Sequence, residues 1–232
     1  MKVTDMKKPL LLLCLALLLL SACTSGADAK PKALPAPEAD ADSPFGVDKH
    51  INMGTIDELL GRDDVAYIDV RLLFDPADFA AIGGEADLTR TIEGFKVVPY
   101  PYIATLTQLP VSGAYEGTCL YTLNWDDGGN IASATPNYSE SEMILRELFP
   151  RDKAIFIMCG GGGYSGMVKA LLIYLGWDET LLYNIGGNWA YIGNHALELV
   201  VYPEEADGDK IYATWRADYA YIDFERLHPV TQ

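Results

Sequence analysis

Cys159 opens the run Cys159-Gly160-Gly161-Gly162-Gly163-Tyr164-Ser165-Gly166, between an apolar stretch ending at Met158 and a helical pattern starting near Ser165. No other part of the chain narrows its fold as much. A short apolar run feeding a glycine turn and then a helix reads as the strand–loop–helix unit of an α/β fold. Backbone N–H groups at the helix start can converge on the sulfur, and the helix dipole adds positive potential, so the arrangement favours a thiolate. Four consecutive glycines let the loop curl around a ligand without Cβ clashes. The plainer alternative is a buried structural cysteine beside a flexible loop.

The N-terminus does not read as part of the fold. Lys2, Lys7 and Lys8 precede an apolar run from Leu10 to Leu20, followed by Ser21, Ala22 and Cys23. A basic start, a short apolar stretch and small residues before a cut site make residues 1–22 a secretory signal, too short to span a bilayer comfortably. Leu20-Ser21-Ala22-Cys23 resembles a bacterial lipobox, which implies that Cys23 is lipidated and becomes the first mature residue. Ordinary secretion with a free Cys23, or a retained signal anchor, are the alternatives. Residues 23–45 are rich in Ala, Pro, Asp and Ser, and read as a flexible tether holding a domain outside the cytoplasm, just off a membrane.

About 185 residues then remain, enough for one domain with a full core. The whole chain carries a formal charge of −16, and residues 1–22 hold three lysines and one aspartate, which leaves the remainder near −18. Such acidity argues against a nucleic-acid partner, because phosphate binding needs a basic footprint. Of four cysteines, only Cys119 and Cys159 would keep thiols after processing. An extracytoplasmic site permits a disulfide between them, with Cys119 as a possible resolving thiol. The three histidines (His50, His195 and His228) are far apart and no CxxC occurs, so no metal or other cofactor is expected.

Helix and strand signals alternate through the domain. Thr55-Ile56-Asp57-Glu58 is a capping box for a short helix through Leu60, and Val65–Val70 is a compact strand ending at Arg71. Asp75-Pro76-Ala77-Asp78 starts another helix, Phe95–Val98 is a strand, and Ser139-Glu140-Ser141-Glu142 caps a helix from Met143 to Phe149. Ala154–Met158 feeds Cys159, Ser165–Leu175 is the helix after it, Leu181–Ile185 a further strand and Asn188–Leu199 a further helix. This alternation predicts a parallel sheet with helices on both faces, in a domain spanning 46–200. Two stretches break the rhythm. Residues 101–138 contain a hairpin signal, with Thr118–Asn124 and Ile131–Thr135 flanking Asp126-Asp127-Gly128-Gly129. Residues 201–232 form a β-rich C-terminal extension with a turn at Ala206-Asp207-Gly208-Asp209.

Several chemistries fail on the residues. Gly161-x-Gly163-x-x-Gly166 has the strand-then-helix context of a dinucleotide loop, but the acid about 20 residues on is replaced by Gly186-Gly187. Met167 stands where a Walker A loop needs lysine. A phosphatase loop would be closed by a cation, where Tyr164 and Ser165 stand instead. For a cysteine hydrolase, His195 is the one imidazole at a plausible spacing, and it reads rather as a polar-face helical residue.

Tyr67-Ile68-Asp69-Val70-Arg71, Asp78-Phe79, Thr91-Ile92-Glu93-Gly94-Phe95, Cys159 through Gly166 and Leu182-Tyr183-Asn184-Ile185-Gly186-Gly187-Asn188-Trp189 together resemble a rhodanese domain, in family order, over roughly residues 50–198. The resemblance implies a rhodanese-like α/β fold. It also implies a sulfurtransferase in which Cys159 takes a sulfane sulfur from a donor, becomes a persulfide and passes the sulfur to a thiol acceptor. On this resemblance the amides of Gly160, Gly161, Gly162, Gly163, Tyr164 and Ser165 cradle the persulfide, Ser165 and Gly166 start the helix, and Asp69 and Arg71 form a supporting strand-end ion pair. Gly160 and Tyr164 occupy places where the family usually carries cations, and Thr91 replaces its usual histidine. A neutral or thiol-bound donor is therefore expected in place of a dianion. A rhodanese-like module that only binds, and thiol redox work by Cys159 with Cys119, are the other readings.

Overall fold

The computed structural model describes residues 32–71, 90–105, 119–198, 218–219 and 222–231. The signal, Cys23, the expected helix at Asp75, part of the 101–138 insert and the turn at Ala206–Asp209 lie outside the described residues.

The elements run in order: β1 Val65–Asp69, β2 Arg90–Ile92, β3 Lys96–Val97, α1 Tyr100–Ile103, β4 Tyr121–Trp125 and β5 Ile131–Pro136. Then come α2 Ser141–Leu148, β6 Ala154–Cys159, α3 Gly163–Tyr174, β7 Leu182–Gly187, β8 Ala196–Glu198 and β9 Asp218–Tyr219. The main sheet has the order β7-β6-β1-β3-β9, and every neighbouring pair in it is parallel. The chain is thus a mixed α/β protein built on a parallel sheet flanked by helices.

β6 lies near the middle of this sheet, and all six of its residues are buried. A strand covered on both faces has no polar side, which explains the unbroken Ala-Ile-Phe-Ile-Met-Cys run. Ile155, Ile157 and Cys159 face a core shared with Val168, Leu171 and Leu172 of α3 and Leu145 and Leu148 of α2. On the opposite face Phe156 meets the rings of Tyr67 and Tyr183 edge-on, at 5.7 and 5.2 Å between centroids. That face is covered by a 3₁₀ turn, Ile56–Leu59, tied down where the Tyr67 hydroxyl donates to the Leu59 carbonyl.

The inserted hairpin forms as β4 and β5, antiparallel, around a turn in which Asp126 Oδ1 accepts the N–H groups of Gly128 and Asn130. Neither capping box closes in the expected reciprocal way. Thr55 makes no side-chain cap, its Oγ1 accepting from Asn52 N–H, and α2 starts at Ser141 behind Glu140, again with no side-chain cap.

One expected element is wrong. Asn188–Leu199 is not a helix: only Asn188–Ala190 make a 3₁₀ turn, and Ala196–Glu198 pair antiparallel with β2. Backbone pairing with β2 and a side-chain anchor at Tyr191 outweigh the local helical pattern, which Gly193 already weakens.

The segment expected as tether also differs at its C-terminal end. From Pro35 onward the chain belongs to the compact body. Asp48, 2% exposed, gathers the N–H groups of Glu38, His50 and Ile51 on its carboxylate, while its own N–H donates to Asn184 O. Composition alone hid this, because one buried Asp organises an otherwise polar stretch.

Candidate functional site

Cys159 ends β6 at the carboxyl edge of the sheet, where open α/β folds place their ligands. Gly162 follows at φ 101°, a left-handed conformation that glycine adopts without strain, and it turns the chain into α3. α3 begins at Gly163, two residues earlier than the sequence pattern suggests, and no side chain caps it. Its first amides are therefore left for another acceptor. The Gly162 N–H points at Cys159 Sγ, 3.0 Å away. Of the amides expected to cradle a persulfide, this is the one seen bonded to the sulfur. The Sγ-bearing residue itself is 1% exposed.

Beneath the loop lies a buried polar network. Ser165 Oγ is 3.6 Å from Cys159 Sγ, 2.9 Å from Gly162 O and 2.7 Å from Asn184 Oδ1. Its hydroxyl carries one proton on a freely rotating bond, so it can serve Asn184 when the sulfur is a thiol and turn toward the sulfur when it is a thiolate. Asn184, in β7, donates through Nδ2 to Phe45 O at 2.8 Å and Gly162 O at 3.0 Å, and accepts from Gly186 N–H at 3.1 Å. One fully buried amide thus ties the N-terminal segment, the cysteine loop, α3 and β7 together. Sequence reading assigned Asn184 no role. The signal was there, since an Asn inside an apolar strand must find partners.

Tyr164 fills the loop position where a cation was missing. Burial first, and the nearby Cys159 sulfur second, hold its phenol above the ordinary value, so it remains a neutral O–H. Its ring packs on Tyr100 with centroids 5.2 Å apart.

Asp69 and Arg71 meet beside the loop, because β1 lies next to β6 with Asp69 opposite Met158. Both are buried; Arg71 Nη2 lies 2.6 Å and Nε 2.9 Å from Asp69 Oδ2. Thr91 Oγ1 donates to the same oxygen at 2.9 Å and so buttresses the carboxylate.

Two further expected residues have partners of their own. Cys119 and Cys159 are both free thiols. Cys119 is buried, with its thiol pushed up to about 11 by that burial, and it donates to Tyr121 O at 3.2 Å. The His195 ring pairs at the surface with Glu93, 3.4 Å away. Among the described residues no group of three or more His, Cys, Asp or Glu side chains is assembled that could hold a metal.

The turn after β7 is anchored from below. Tyr191 donates to Asp57 Oδ1 at 2.6 Å, Asn194 N–H donates to Oδ2 at 3.2 Å, and His195 N–H donates to the Tyr191 hydroxyl. The Tyr191 bond, chiefly, holds the Asp57 carboxyl below its usual range. Burial first, and Asp57 second, push Tyr191 up to about 12, so it stays a donor. A depressed carboxylate adds stability that is present above the unfolded value of about 3.9 and lost as pH falls through the folded one. Asp57→Asn is accordingly expected to be less stable than the wild type at neutral pH, with the gap closing under acid. Urea midpoints of both chains across pH check this, and a gap unchanged down to about pH 3 contradicts it.

No protein-family model, curated protein or solved structure matches this chain.

Proposed function

We propose that this chain is a rhodanese-like sulfurtransferase or persulfide carrier, held outside the cytoplasm at a bacterial membrane by a lipid on Cys23. The carrying observation is the Gly162 N–H directed at Cys159 Sγ where β6 meets the start of α3. The Ser165–Asn184 network beneath the sulfur and the Asp69–Arg71 pair on the adjoining strand add support. In the reaction, the Cys159 thiolate attacks the sulfane sulfur of a donor, whose S–S bond breaks with the electron pair leaving on the donor. An acceptor thiolate then attacks the outer sulfur of the Cys159 persulfide, and the Cys159 thiolate is regenerated. No metal or organic cofactor enters these steps.

Incubating the full chain with thiosulfate, polysulfide or a low-molecular-weight persulfide is expected to leave cyanide-labile sulfur on the wild type and none on Cys159→Ser. Absence of the adduct with all three donors overturns the reading.

The burial of Cys159 supports a second reading, a rhodanese-like module that binds a partner without chemistry. Partner binding unchanged in Cys159→Ser, with no adduct on the wild type, would establish it. Thiol redox pairing with Cys119 has less support, because a thiol pushed up to about 11 stays protonated near neutral pH.

A further inference from the structure

Trp189 lays its indole on the glycine loop. A Cβ on Gly160 would stand 2.6 Å from its Cζ2 and 2.8 Å from its Cε2, and one on Gly161 3.2 Å from its Cζ3. The indole thus leaves no room for a Cβ on Gly160 and little for one on Gly161. The backbone holds the ring there, since Trp189 N–H donates to Gly160 O at 3.1 Å. Trp189 is nonetheless 57% exposed, so much of the indole remains open to solvent. At the other end of the loop Phe45, 51% exposed, lies 3.6 Å from where a Gly163 Cβ would be.

A second observation lies in the same turn. Asn188 is 1% exposed, and its Nδ2 has no hydrogen-bond partner. An unsatisfied buried donor is costly, and an acceptor brought to it would relieve that cost. Residues 159–166 meanwhile contain no lysine or arginine, in a chain of formal charge −16. A doubly charged donor finds no counter-charge in this loop.

We propose that the Asn188–Ala190 turn is the recognition element of the Cys159 site. It selects an organic sulfane donor, a monoanion with an apolar body and an acceptor oxygen, over the thiosulfate dianion. The proposal rests on Cys159 being the sulfur acceptor. An aryl thiosulfonate has the required chemistry: its ring would lie against the exposed indole of Trp189. The Cys159 thiolate attacks the sulfane sulfur, the bond between the two sulfurs breaks, and the sulfinate leaves with the electron pair. The persulfide anion keeps the remaining charge, and neither oxidant nor reductant is consumed.

The test loads the full chain with benzenethiosulfonate, methanethiosulfonate and thiosulfate, and measures Cys159 persulfide by cyanolysis. Benzenethiosulfonate is expected to load the wild type fastest. Trp189→Ala should slow that donor about two- to tenfold more than it slows the two smaller donors, the worth of one aromatic contact. Trp189→Phe should retain most of the preference. Equal slowing of all three donors, or an intact preference in Trp189→Ala, overturns the recognition role and leaves sulfur transfer standing. No persulfide from these three donors, nor from polysulfide or a low-molecular-weight persulfide, overturns sulfur transfer. Recognition is then decided by whether benzenesulfinate changes the tryptophan fluorescence of Cys159→Ser but not of the Trp189→Ala/Cys159→Ser chain. A signal absent from the first, or the same in both, overturns it.

Discussion

Asp69→Ala is expected to destabilise the folded chain by about 3–5 kcal/mol, the usual consequence of removing one partner from a buried ion pair. The Arg71 guanidinium, 1% exposed, would lose a carboxylate that accepts from both its Nε and its Nη2. Thr91 would lose its acceptor in the same step. Against a total stability of about 5–15 kcal/mol, such a loss is enough to unfold much of the population on mild warming. Denaturant titration of the wild type, Asp69→Ala, Arg71→Met and the double variant measures it. The double variant should be less damaged than the two singles added together, because it removes the charge that each single leaves buried. An Asp69→Ala loss below about 1 kcal/mol, the range of a surface pair, would show that the pair does not hold the site's edge.

Asn184→Ala is expected to cost about 2–4 kcal/mol, since it unpairs buried groups on several segments at once. Phe45 O and Gly162 O lose a donor, while Ser165 Oγ and Gly186 N–H lose an acceptor. The change also reaches the sulfur. Without Asn184 Oδ1, the Ser165 hydroxyl keeps Gly162 O and Cys159 Sγ as acceptors, and the loop loses the amide that bridges it to Phe45 O. Cys159 alkylation and persulfide loading should both change in Asn184→Ala. Asn184→Asp keeps the acceptors for Ser165 and Gly186, loses the donor to Phe45 O and Gly162 O, and adds negative charge below the sulfur. Slower alkylation of Cys159 in Asn184→Asp than in the wild type is the expected result. A stability loss in Asn184→Ala under about 1 kcal/mol, with unchanged Cys159 reactivity, would remove Asn184 from the site.

Much of this architecture was legible along the chain. The apolar run 154–158 could only be a buried strand, and Gly162 is where a left-handed residue turns it into α3. The Asp126–Gly129 turn announced its hairpin, because its hydrogen bonds close within four residues. Asp69 and Arg71, two apart on one strand end, were recognisable as a pair. What misled was equally local. The pattern over 188–199 suits a helix until β2, about a hundred positions earlier, offers Ala196–Glu198 a strand to pair with.

The loop illustrates the division best. Its cysteine, its glycines and its helix start come from neighbours in sequence, since backbone conformation and dipole direction are set within a few residues. Its surroundings do not. Phe45 reaches Asn184 across 139 positions, and Trp189 reaches Gly160 from the end of the adjoining strand. Thr91 meets Asp69 through a contact that no local pattern encodes. The sequence by itself determined that a thiol would stand at a strand end before a helix. Only the tertiary structure decided that a buried amide would brace it and an indole would cover its glycines. Packing and hydrogen-bond satisfaction act between whichever groups the fold brings together, not only between neighbours along the chain.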